Sequence, residues 1–330
     1  MKQKLVQEKI FLITGAAGSI GRELTLGLAK RNPKKLILVD IAETALHSLL
    51  LELREIAPQI PVVYFIDSIC NAALVSYVFR EFKPTTVIHA AAYKHVSMAE
   101  TNVCATINTN VYGAKLVLDA GIEHQLARFI FISTDKAVNP QSVMGQTKKL
   151  FEDYALIRQQ ENPAIQIHIM RLCNVYNSSG SVVPLFEARI AKQQPLIIRG
   201  KEARRAFVQS DQLIPMLDAL MGDTLSGVYI PNDYELLTVP EVAARVLESF
   251  GLNLENYPIT YEPLFASEKE NEELRASTEI RCAEPAGPLV RVTNTEEITL
   301  DLTVLQNCIH SAENYEVAEA HRLLKLLTSA

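Results

Sequence analysis

The chain has 330 residues, a formal net charge of −6 and an apolar fraction of 48%. That length holds one large domain, or a nucleotide-binding domain with a smaller appendage, and the apolar residues suffice for a core. The negative charge argues against broad nucleic-acid binding, and no stretch reaches the roughly 18 uncharged apolar residues that span a bilayer. Because the opening residues are charged and run directly into a strand, unlike a signal peptide, we expect a cytosolic protein.

A glycine-rich turn follows the first predicted strand, Lys9 to Ile13. Gly15, Gly18 and Gly21 form the pattern G-x-x-G-x-x-G, and apolar residues at helical spacing predict a helix from about Ser19 to Lys30. Such glycines let the backbone turn and approach a pyrophosphate at the positive end of the helix. Tight turns use the same residues, so the pattern alone is weak. The cofactor contacts expected here are Gly15, Gly18, Ser19, Ile20 and Gly21.

An acidic residue ends the second predicted strand, Lys35 to Val39. Asp40 lies about 20 positions beyond the glycines, where a carboxylate hydrogen-bonds the ribose hydroxyls of NAD and repels the additional phosphate of NADP. The spacing therefore favours NAD over NADP. A carboxylate that only caps the loop is the alternative.

Small residues end the fourth predicted strand. The third strand, Pro61 to Ile66, ends in Asp67, and the fourth runs from Thr85 to Ala90. Small side chains at this exit allow close approach of the ribose or nicotinamide half of the cofactor. The expected contacts are Ala90, Ala91 and Ala92, which are followed by the polar cluster Tyr93, Lys94 and His95.

The most informative stretch is residues 129–148. An apolar run, Phe129 to Ile132, is typical of a buried parallel strand, and it gives way to four polar residues, Ser133 to Lys136. Ligands bind at that end of an open α/β sheet. After a turn at Asn139, which precedes a proline, Met144 and Lys148 stand four residues apart in a predicted helix and share one face. An ordinary strand and helix with surface charges is the alternative.

This stretch resembles the catalytic layout of the short-chain dehydrogenase/reductase superfamily, in which a strand and Ser/Thr precede Y-x-x-x-K. Met144 holds the place of the tyrosine. The letters STDKAVNP and VMG.TK resemble the CapD-like UDP-N-acetylglucosamine 4,6-dehydratases of its extended branch, some of which carry that methionine. The resemblance covers roughly residues 8–274 and is dense in the first 210.

The resemblance implies an α/β fold: a Rossmann doubly wound parallel sheet with a smaller mixed α/β C-terminal substrate-binding region. Residues 1–180 would form the NAD-binding domain and carry the catalytic residues. Residues 181–330 would bind the nucleotide sugar, and some of these segments are allowed to return to the Rossmann sheet. The resemblance also implies a homo-oligomer. Larger members carry a membrane segment ahead of this domain, and none is recognised in this sequence.

The reaction implied is a 4,6-dehydration that yields a UDP-4-keto-6-deoxy sugar by internal NAD hydride transfer and loss of water, in surface polysaccharide or glycan biosynthesis. By resemblance, Thr134 binds the C4 oxygen, Asp135 protonates the leaving C6 hydroxyl, Lys136 removes the C5 proton and Lys148 binds ribose. These roles require a raised pKa for Asp135 and a lowered pKa for Lys136. Met144 cannot carry a proton, which leaves Asp135 as the nearest group in sequence to deprotonate the C4 hydroxyl. A structural salt bridge between Asp135 and Lys136 is the alternative.

Further contacts are assigned by the same resemblance. Asp67 matches an acid that contacts the adenine, with an N-cap as the alternative, and Asn110 matches an asparagine that helps to orient the catalytic lysine. The pattern RLCNVYNSSGSVVP matches the family except that Asn177 replaces a glycine, and asparagine tolerates the left-handed conformation. The substrate contacts implied are Lys94, His95, Asn174, Ser181, Val182 and Arg205; Arg204 is an alternative to Arg205, and a solvated loop is the alternative at residues 94–95.

The main departure lies at residues 263–274, PLFASEKENEEL, where the family reads R-P-G-E-K-x-x-E-E-L. Phe265, Ala266 and Ser267 replace the arginine and Pro-Gly, so the sequence leaves the nucleotide and the sugar open. An NAD-dependent nucleotide-sugar 4-epimerase or dehydrogenase is the alternative enzyme. A non-catalytic NAD-binding protein is the alternative from another class.

The five cysteines are scattered without C-x-x-C pairs or histidines at ligand spacing. Free buried thiols are therefore favoured over disulfides or a zinc site, and no metal is expected. An amphipathic terminal helix, Tyr315 to Leu327, is predicted either to cap the domain or to join two subunits. The cysteines are Cys70, Cys104, Cys173, Cys282 and Cys308.

Overall fold

A computed structural model describes residues 4–178, 180–265 and 267–328 of the chain. Short apolar runs form its strands, and the first six lie where the sequence predicts them. Within the described residues the strands are β1 Ile10–Thr14, β2 Lys35–Asp40, β3 Val62–Ile66, β4 Thr86–His89, β5 Arg128–Thr134, β6 Gln166–Leu172, β7 Asn174–Val175, β8 Leu196–Arg199, β9 Arg204–Val208, β10 Gly227–Pro231, β11 Glu235–Thr238, β12 Ile259–Glu262, β13 Glu279–Ala286 and β14 Leu289–Asn294.

Helices connect most of these strands. The α-helices of the same residues are α1 Lys4–Gln7, α2 Ser19–Ala29, α3 Glu43–Ile56, α4 Ala72–Phe82, α5 Val96–Thr101, α6 Val103–Ile107, α7 Ala114–Glu123, α8 Val143–Glu161, α9 Val182–Ala191, α10 Leu213–Gly222, α11 Val239–Ser249, α12 Leu302–Glu313 and α13 Val317–Thr328. A π-helix, Asn108–Gly113, joins α6 to α7, and 3₁₀ turns cover Asp135–Ala137 and Ser210–Gln212.

The main sheet runs in the order β13-β14-β10-β6-β5-β4-β1-β2-β3. Every neighbouring pair from β10 to β3 is parallel, whereas β14 and β13 add an antiparallel edge. The chain winds outward from β1 in one direction and from β4 in the other, so the strand order reverses between these two strands. The doubly wound fold is therefore confirmed, and its ligand crevice is expected beyond the carboxyl ends of β1 and β4.

The centre of the sheet is apolar on both faces, as expected of parallel strands covered by helices. Phe11, Ile13, Phe129 and Phe131 are fully buried. One polar pair crosses this region: Thr14 Oγ1 lies 2.9 Å from His89 Nδ1. Burial, aided by the charge of Lys148, lowers the pKa of His89 to about 3, so the imidazole is neutral.

A second, smaller core lies beside the main sheet. It contains Val183, Phe186, Leu196 and Ile198, and it packs under the β11-β9-β7 sheet and the β12-β8 pair. Three later strands, β10, β13 and β14, return to the main sheet. The return of C-terminal segments that the sequence analysis allowed therefore occurs, and the domain boundary near residue 180 stays a prediction.

A buried network of ion pairs, centred on Arg171, lies beneath the end of β5. Arg171 Nη2 donates to Glu152 Oε2 at 2.6 Å, and its Nη1 donates to Glu279 Oε2 at 2.7 Å. Ser133 Oγ donates to the same Glu152. Although burial acts in the opposite direction, the two carboxylates raise the pKa of Arg171, so the guanidinium is charged. The network joins β6, α8 and β13, and thus holds the C-terminal edge of the sheet to the strand that carries the candidate site.

The predicted terminal helix is α13, and it packs on its own chain. Its apolar side, Ala320, Leu323 and Leu324, is buried, and the helix contacts α6, α8 and α12. It therefore caps the helical layer on this face. Among the helices of the described ranges, none combines the length and the apolar character needed to cross a bilayer.

Candidate active site

Two adjoining cavities occupy the crevice at the carboxyl ends of the strands. The larger measures about 490 Å³ and the smaller about 220 Å³. Both are lined by the glycine turn and the exit of β4, and they share Gly15, Gly18, Ala90, Ala92 and Tyr93. The cavities therefore meet at the glycine turn and form one continuous cleft.

The three glycines of the turn serve different purposes. Gly15 has φ +65°, and a Cβ there would lie 2.6 Å from the backbone of Ala91; at Gly21 it would lie 2.0 Å from the carbonyl oxygen of Gly15. These two positions are therefore glycine because the backbone packs against itself. A Cβ at Gly18 would meet only that same oxygen, at 3.4 Å. Packing does not require Gly18, which lies at the N-terminal end of α2 and lines both cavities.

The acidic residues at the ends of β2 and β3 line the smaller cavity. Asp40 Oδ2 accepts from the N–H of Ala17 at 2.8 Å, and its Oδ1 accepts from Ala42 at 2.9 Å. Asp67 accepts from the backbone of Ser68 and from the side chain of Asn71. Both carboxylates thus organise their loops while facing the cavity, so loop capping and a ligand contact are compatible at Asp40 and Asp67.

Asn110 lies in the π-helix and fixes the loop that follows β4. Its Oδ1 accepts from the N–H of Tyr93 at 2.8 Å, and its Nδ2 donates to the Tyr93 carbonyl and to Thr147 Oγ1, each at 3.0 Å. No hydrogen bond within the described ranges joins it to Lys148. Asn110 ties the 90–95 loop to α8 one residue before the lysine, and its help in orienting Lys148 stays a prediction.

Met144 and Lys148 share one face of α8 and line the larger cavity, as their spacing predicts. Lys148 is 6% exposed, and its Nζ donates to the carbonyl of Ile132 at 2.9 Å and lies 4.5 Å from the ring centroid of Phe131. Burial lowers the pKa of Lys148 to about 7, against the opposing charge of Glu152. The ammonium therefore loses its proton near neutral pH.

The polar residues after β5 form a compact hydrogen-bonded turn. Asp135 is 1% exposed; its Oδ1 accepts from Thr134 Oγ1 at 2.8 Å and from Lys136 Nζ at 3.2 Å. Burial raises the pKa of Asp135 to about 6, although Lys136 opposes the shift and Glu272 adds to it. Thr134 and Lys136 line the larger cavity, whereas Asp135 lies outside its lining. The expectation that Asp135 faces the substrate directly is therefore corrected: it reaches the cavity through its two neighbours.

Lys136 carries the main correction to the expected chemistry. Its Nζ contacts two carboxylates, Asp135 Oδ1 at 3.2 Å and Glu272 Oε1 at 2.8 Å. Although burial acts in the opposite direction, these charges raise the pKa of Lys136. The prediction that the pKa of Lys136 is lowered, as a C5 base requires, is therefore wrong for the ligand-free chain, in which the amine is charged.

Of the six predicted substrate contacts, four line the larger cavity: Lys94, His95, Asn174 and Ser181. Burial lowers the pKa of Lys94. Val182 begins α9 and lies outside the lining. Arg205 also lies outside it, because its guanidinium donates to the carbonyls of Lys269 and Glu270 and pairs with Glu272.

Residues 263–274, which depart from the expected family pattern, pack against the turn that carries Asp135 and Lys136. Phe265 lies under the guanidinium of Arg199, 4.5 Å from its ring centroid, and Ala266 lies outside the described residues. Lys269 Nζ donates to the carbonyl of Val138. These contacts hold residues 267–274 against the turn after β5.

Sequence reasoning missed two residues that the fold brings to the site. Glu272 was recognised only as part of a matching E-E-L stretch, and nothing in the letters placed it against Lys136. Cys173 lines the larger cavity, where burial and then the charge of Asp135 raise its pKa to about 12. Its thiol is therefore protonated. Three of the five free thiols are buried, as expected, but Cys70 and Cys282 are half-buried.

Residues 11–294 match the protein family described as polysaccharide biosynthesis protein. The match covers most of the chain. The protein belongs to this family. Membership confirms the resemblance that the residues around Asp135 and Lys148 indicated.

Curated relatives agree with the family. The chain is 33% identical over 276 residues to the capsular polysaccharide biosynthesis protein CapD of Staphylococcus aureus, covering 82% of this chain and 46% of the relative. It is 36% identical over 188 residues to an inverting UDP-N-acetylglucosamine 4,6-dehydratase of Campylobacter jejuni, covering 56% and 54%. A UDP-glucose 4-epimerase of Rickettsia bellii is 30% identical over 293 residues, covering 86% and 83%. The chain spans about half the length of the first two relatives.

Solved structures share the family's fold. Pen from Bacillus thuringiensis superposes with a TM-score of 0.76 at 25% identity, covering 82% of this chain and 84% of that one. DesIV from Streptomyces venezuelae, a dTDP-glucose 4,6-dehydratase with NAD and TYD bound, superposes with a TM-score of 0.70 at 19% identity, covering 80% and 87%. At this level of identity the second likeness concerns the fold.

Proposed function

We propose that this chain is a nucleotide-sugar 4,6-dehydratase that uses NAD and acts on UDP-N-acetylglucosamine in the biosynthesis of surface polysaccharide or glycan. The observation that carries the proposal is the cavity shared by Thr134, Lys136 and Lys148, which opens onto the glycine turn. Relatives named as CapD and as UDP-N-acetylglucosamine 4,6-dehydratase support the substrate class. The product would be a UDP-4-keto-6-deoxy sugar.

The cleft suits NAD on the chain's own geometry. Gly18 is not required by packing, so it leaves room at the positive end of α2 for a pyrophosphate. The smaller cavity sets Asp40 and Asp67 beside the apolar side chains of Ile41 and Ile69, which suits an adenosine. Asp40 favours ribose hydroxyls over a ribose phosphate, and hence NAD over NADP. When bound, NAD supplies the acceptor and the donor of hydride.

Thr134 and Asp135 form a proton path that takes over the task of the tyrosine absent at position 144. Thr134 lines the cavity, and its Oγ1 donates to Asp135 Oδ1 at 2.8 Å. A C4 hydroxyl that donates to Thr134 Oγ1 transfers its proton there as the threonine gives its own proton to Asp135. Because the pKa of Asp135 is about 6, this carboxylate accepts the proton and later returns it, through Thr134 at the cavity wall, to the leaving C6 hydroxyl. One carboxylate thus serves two steps.

The two lysines take separate tasks in this proposal. Lys136 faces the C5 hydrogen, which the neighbouring 4-ketone makes acidic. Since Lys136 is charged in the free chain, it first passes its proton to Glu272, because Asp135 already holds the proton from the C4 hydroxyl; after Lys136 returns the proton to C5, it takes the other one back from Glu272. Lys148 binds the ribose hydroxyls of the cofactor, as the family resemblance implies, and its charge favours the anionic form of nearby groups.

An NAD-dependent 4-epimerase is the second candidate. The Rickettsia epimerase covers more of this chain than the Campylobacter dehydratase does. Epimerisation uses the same cleft but moves no proton at C5 or C6. The cluster of Asp135, Lys136 and Glu272 therefore favours dehydration, because an epimerase has no task for a lysine at the cavity wall that is backed by two carboxylates.

The test is incubation with a panel of UDP- and dTDP-linked sugars, followed by mass spectrometry. We expect UDP-N-acetylglucosamine to lose one water without accumulation of NADH. An unchanged mass with a changed sugar configuration would identify the epimerase, and stoichiometric NADH would identify a dehydrogenase. Lys148→Ala should lower turnover at least about 100-fold, because it removes the group that positions the cofactor's ribose, whereas the control Lys149→Ala should not, because Lys149 pairs with Asp153.

The remaining expectations also belong to this proposal. A cytosolic location, a homo-oligomeric state and a substrate-binding role for residues 181–330 stay predictions. Sedimentation of the purified chain measures the oligomeric state, and we expect a species larger than the monomer.

A further inference from the structure

Glu272 reaches the candidate site from a segment far along the chain. Its Oε1 lies 2.8 Å from Lys136 Nζ, the same amine that contacts Asp135 Oδ1 at 3.2 Å. The side chains of Asp135 and Glu272 are 2% and 6% exposed, so solvent screens their charges little. With both carboxylates ionised the three groups carry one net negative charge, and one added proton makes them neutral.

The two carboxyl groups are close neighbours, because both contact the Nζ of Lys136. Asp135 Oδ2 is buried and has no donor among the described residues. Two neighbouring ionised carboxylates repel each other, whereas a proton on one of them removes that repulsion. In the ligand-free protein this buried pair is therefore expected to take up a first proton more readily than an isolated carboxylate would.

The surroundings decide which carboxyl takes the proton. Glu272 Oε2 accepts from Asn174 Nδ2 at 3.3 Å and lies 3.5 Å from Arg205 Nε. Although burial acts in the opposite direction, Lys136 and Arg205 lower the pKa of Glu272. Among the described residues no arginine pairs with Asp135, so the proton is retained on Asp135 next to Thr134, where the reaction needs it.

We propose that Glu272 is a positioning residue of the dehydration: its carboxylate gives buried Asp135 the capacity to hold the transferred proton, and it anchors Lys136 at the cavity wall. This inference rests on the proposed function. Glu272 lies outside the lining of the larger cavity and therefore does not contact the substrate. It acts through Asp135 and Lys136.

The segment that carries Glu272 is held from two sides. Lys269 binds the carbonyl of Val138, and Arg205 binds the carbonyls of residues 269 and 270. The C-terminal region thus completes the proton-transfer cluster of the main sheet. The titratable and charged groups that face the pair from the packed elements are Lys136, Cys173, Arg205 and Lys269.

The first test needs no substrate. Infrared difference spectroscopy of the ligand-free protein follows the protonated carboxyl band as pH varies, and Asp135→Asn identifies the contribution of that residue. We expect an Asp135 midpoint near pH 6 that moves down by at least about one unit in Glu272→Gln, since the variant removes the neighbouring charge. Glu273→Gln is the matched control: Glu273 is exposed, it accepts from Asn139 Nδ2 at 3.4 Å, and its replacement should leave the midpoint unchanged.

The second test follows turnover. In Glu272→Gln the acid limb of kcat/KM should move to lower pH, and kcat near neutrality should fall about tenfold with little change in KM. Glu272→Asp retains the charge and should keep the limb near its original position, which separates charge from folding; thermal melting checks all variants. An unmoved infrared midpoint in a folded Glu272→Gln protein overturns the inference. If the wild type dehydrates no sugar while the midpoint moves, the proposed function fails and the charge coupling stands.

Discussion

The glycine turn offers the sharpest separation of binding from folding. Gly18 and Gly21 lie three residues apart in the same turn, yet only Gly21 is required by the chain's own packing. A Cβ at Gly21 would lie 2.0 Å from the backbone oxygen of Gly15, whereas a Cβ at Gly18 would meet it at 3.4 Å, an ordinary contact. Gly18 also has φ −69°, which alanine adopts without strain. We therefore compare Gly18→Ala with Gly21→Ala.

The expected magnitudes follow from these distances. Gly18→Ala places alanine at the N-cap of α2 and should lower the free energy of unfolding by about 0.5–1 kcal/mol. Gly21→Ala forces two backbone segments apart and should cost about 1–3 kcal/mol or more. The methyl group at position 18 should weaken NAD binding at least tenfold, about 1.4 kcal/mol, because it occupies the room above the turn.

Urea unfolding and calorimetric titration with NAD measure the two quantities on each variant. Gly18→Ala should be nearly as stable as the wild type but a poor NAD binder, whereas Gly21→Ala should lose stability as well. Unaltered NAD affinity in Gly18→Ala would refute the assignment of this turn to the pyrophosphate.

Three further predictions concern charge. First, kcat/KM should rise with pH to about 6, as Asp135 ionises, and fall above about 7, as Lys148 loses its proton; a pH–rate profile that is flat from 5 to 8 would contradict these roles. Second, Arg171→Met leaves Glu152 and Glu279 buried without their partner and should cost about 3–5 kcal/mol in urea unfolding; a cost below about 1 kcal/mol would mean that water reaches the network. Third, the folded pKa of His89, about 3, lies below its usual 6.5, so the unfolded chain binds more protons between these values and stability should fall as pH falls below about 6.5. Its share is about 1.4 kcal/mol per pH unit, which urea unfolding at pH 6 and 5 measures, and its replacement by Gln should reduce that slope.

The parts of the site built from contiguous residues could be predicted from the sequence. The glycine turn, Asp40 at the end of β2, and the pair Met144 and Lys148 are local patterns in which spacing fixes relative position. Asn177 is a similar case, since it occupies the left-handed conformation, φ 58°, that was expected of a residue replacing glycine. Residues that are close in sequence have predictable relative positions, because a single strand, turn or helix fixes them.

The protonation of Lys136 could not be predicted in this way. Its charge depends on Glu272, which arrives through the β9 region and the 267–274 segment, and no periodicity links the two positions. The hydrogen bonds of Asn110 depend on the π-helix, which the apolar pattern of residues 108–123 does not distinguish from an α-helix. The antiparallel position of β13 and β14 at the sheet edge could not be predicted for a similar reason, since the whole fold determines which strands pair.

The central claim is that hydride leaves C4 of a nucleotide sugar and returns to C6 of the same molecule as water is lost. UDP-N-acetylglucosamine carrying deuterium at C4 tests this most directly, with mass and NMR analysis of the product. We expect a product that has lost one water and carries the deuterium in its C6 methyl group. Deuterium that remains at C4, or that is lost to the cofactor pool without dehydration, would contradict the claim.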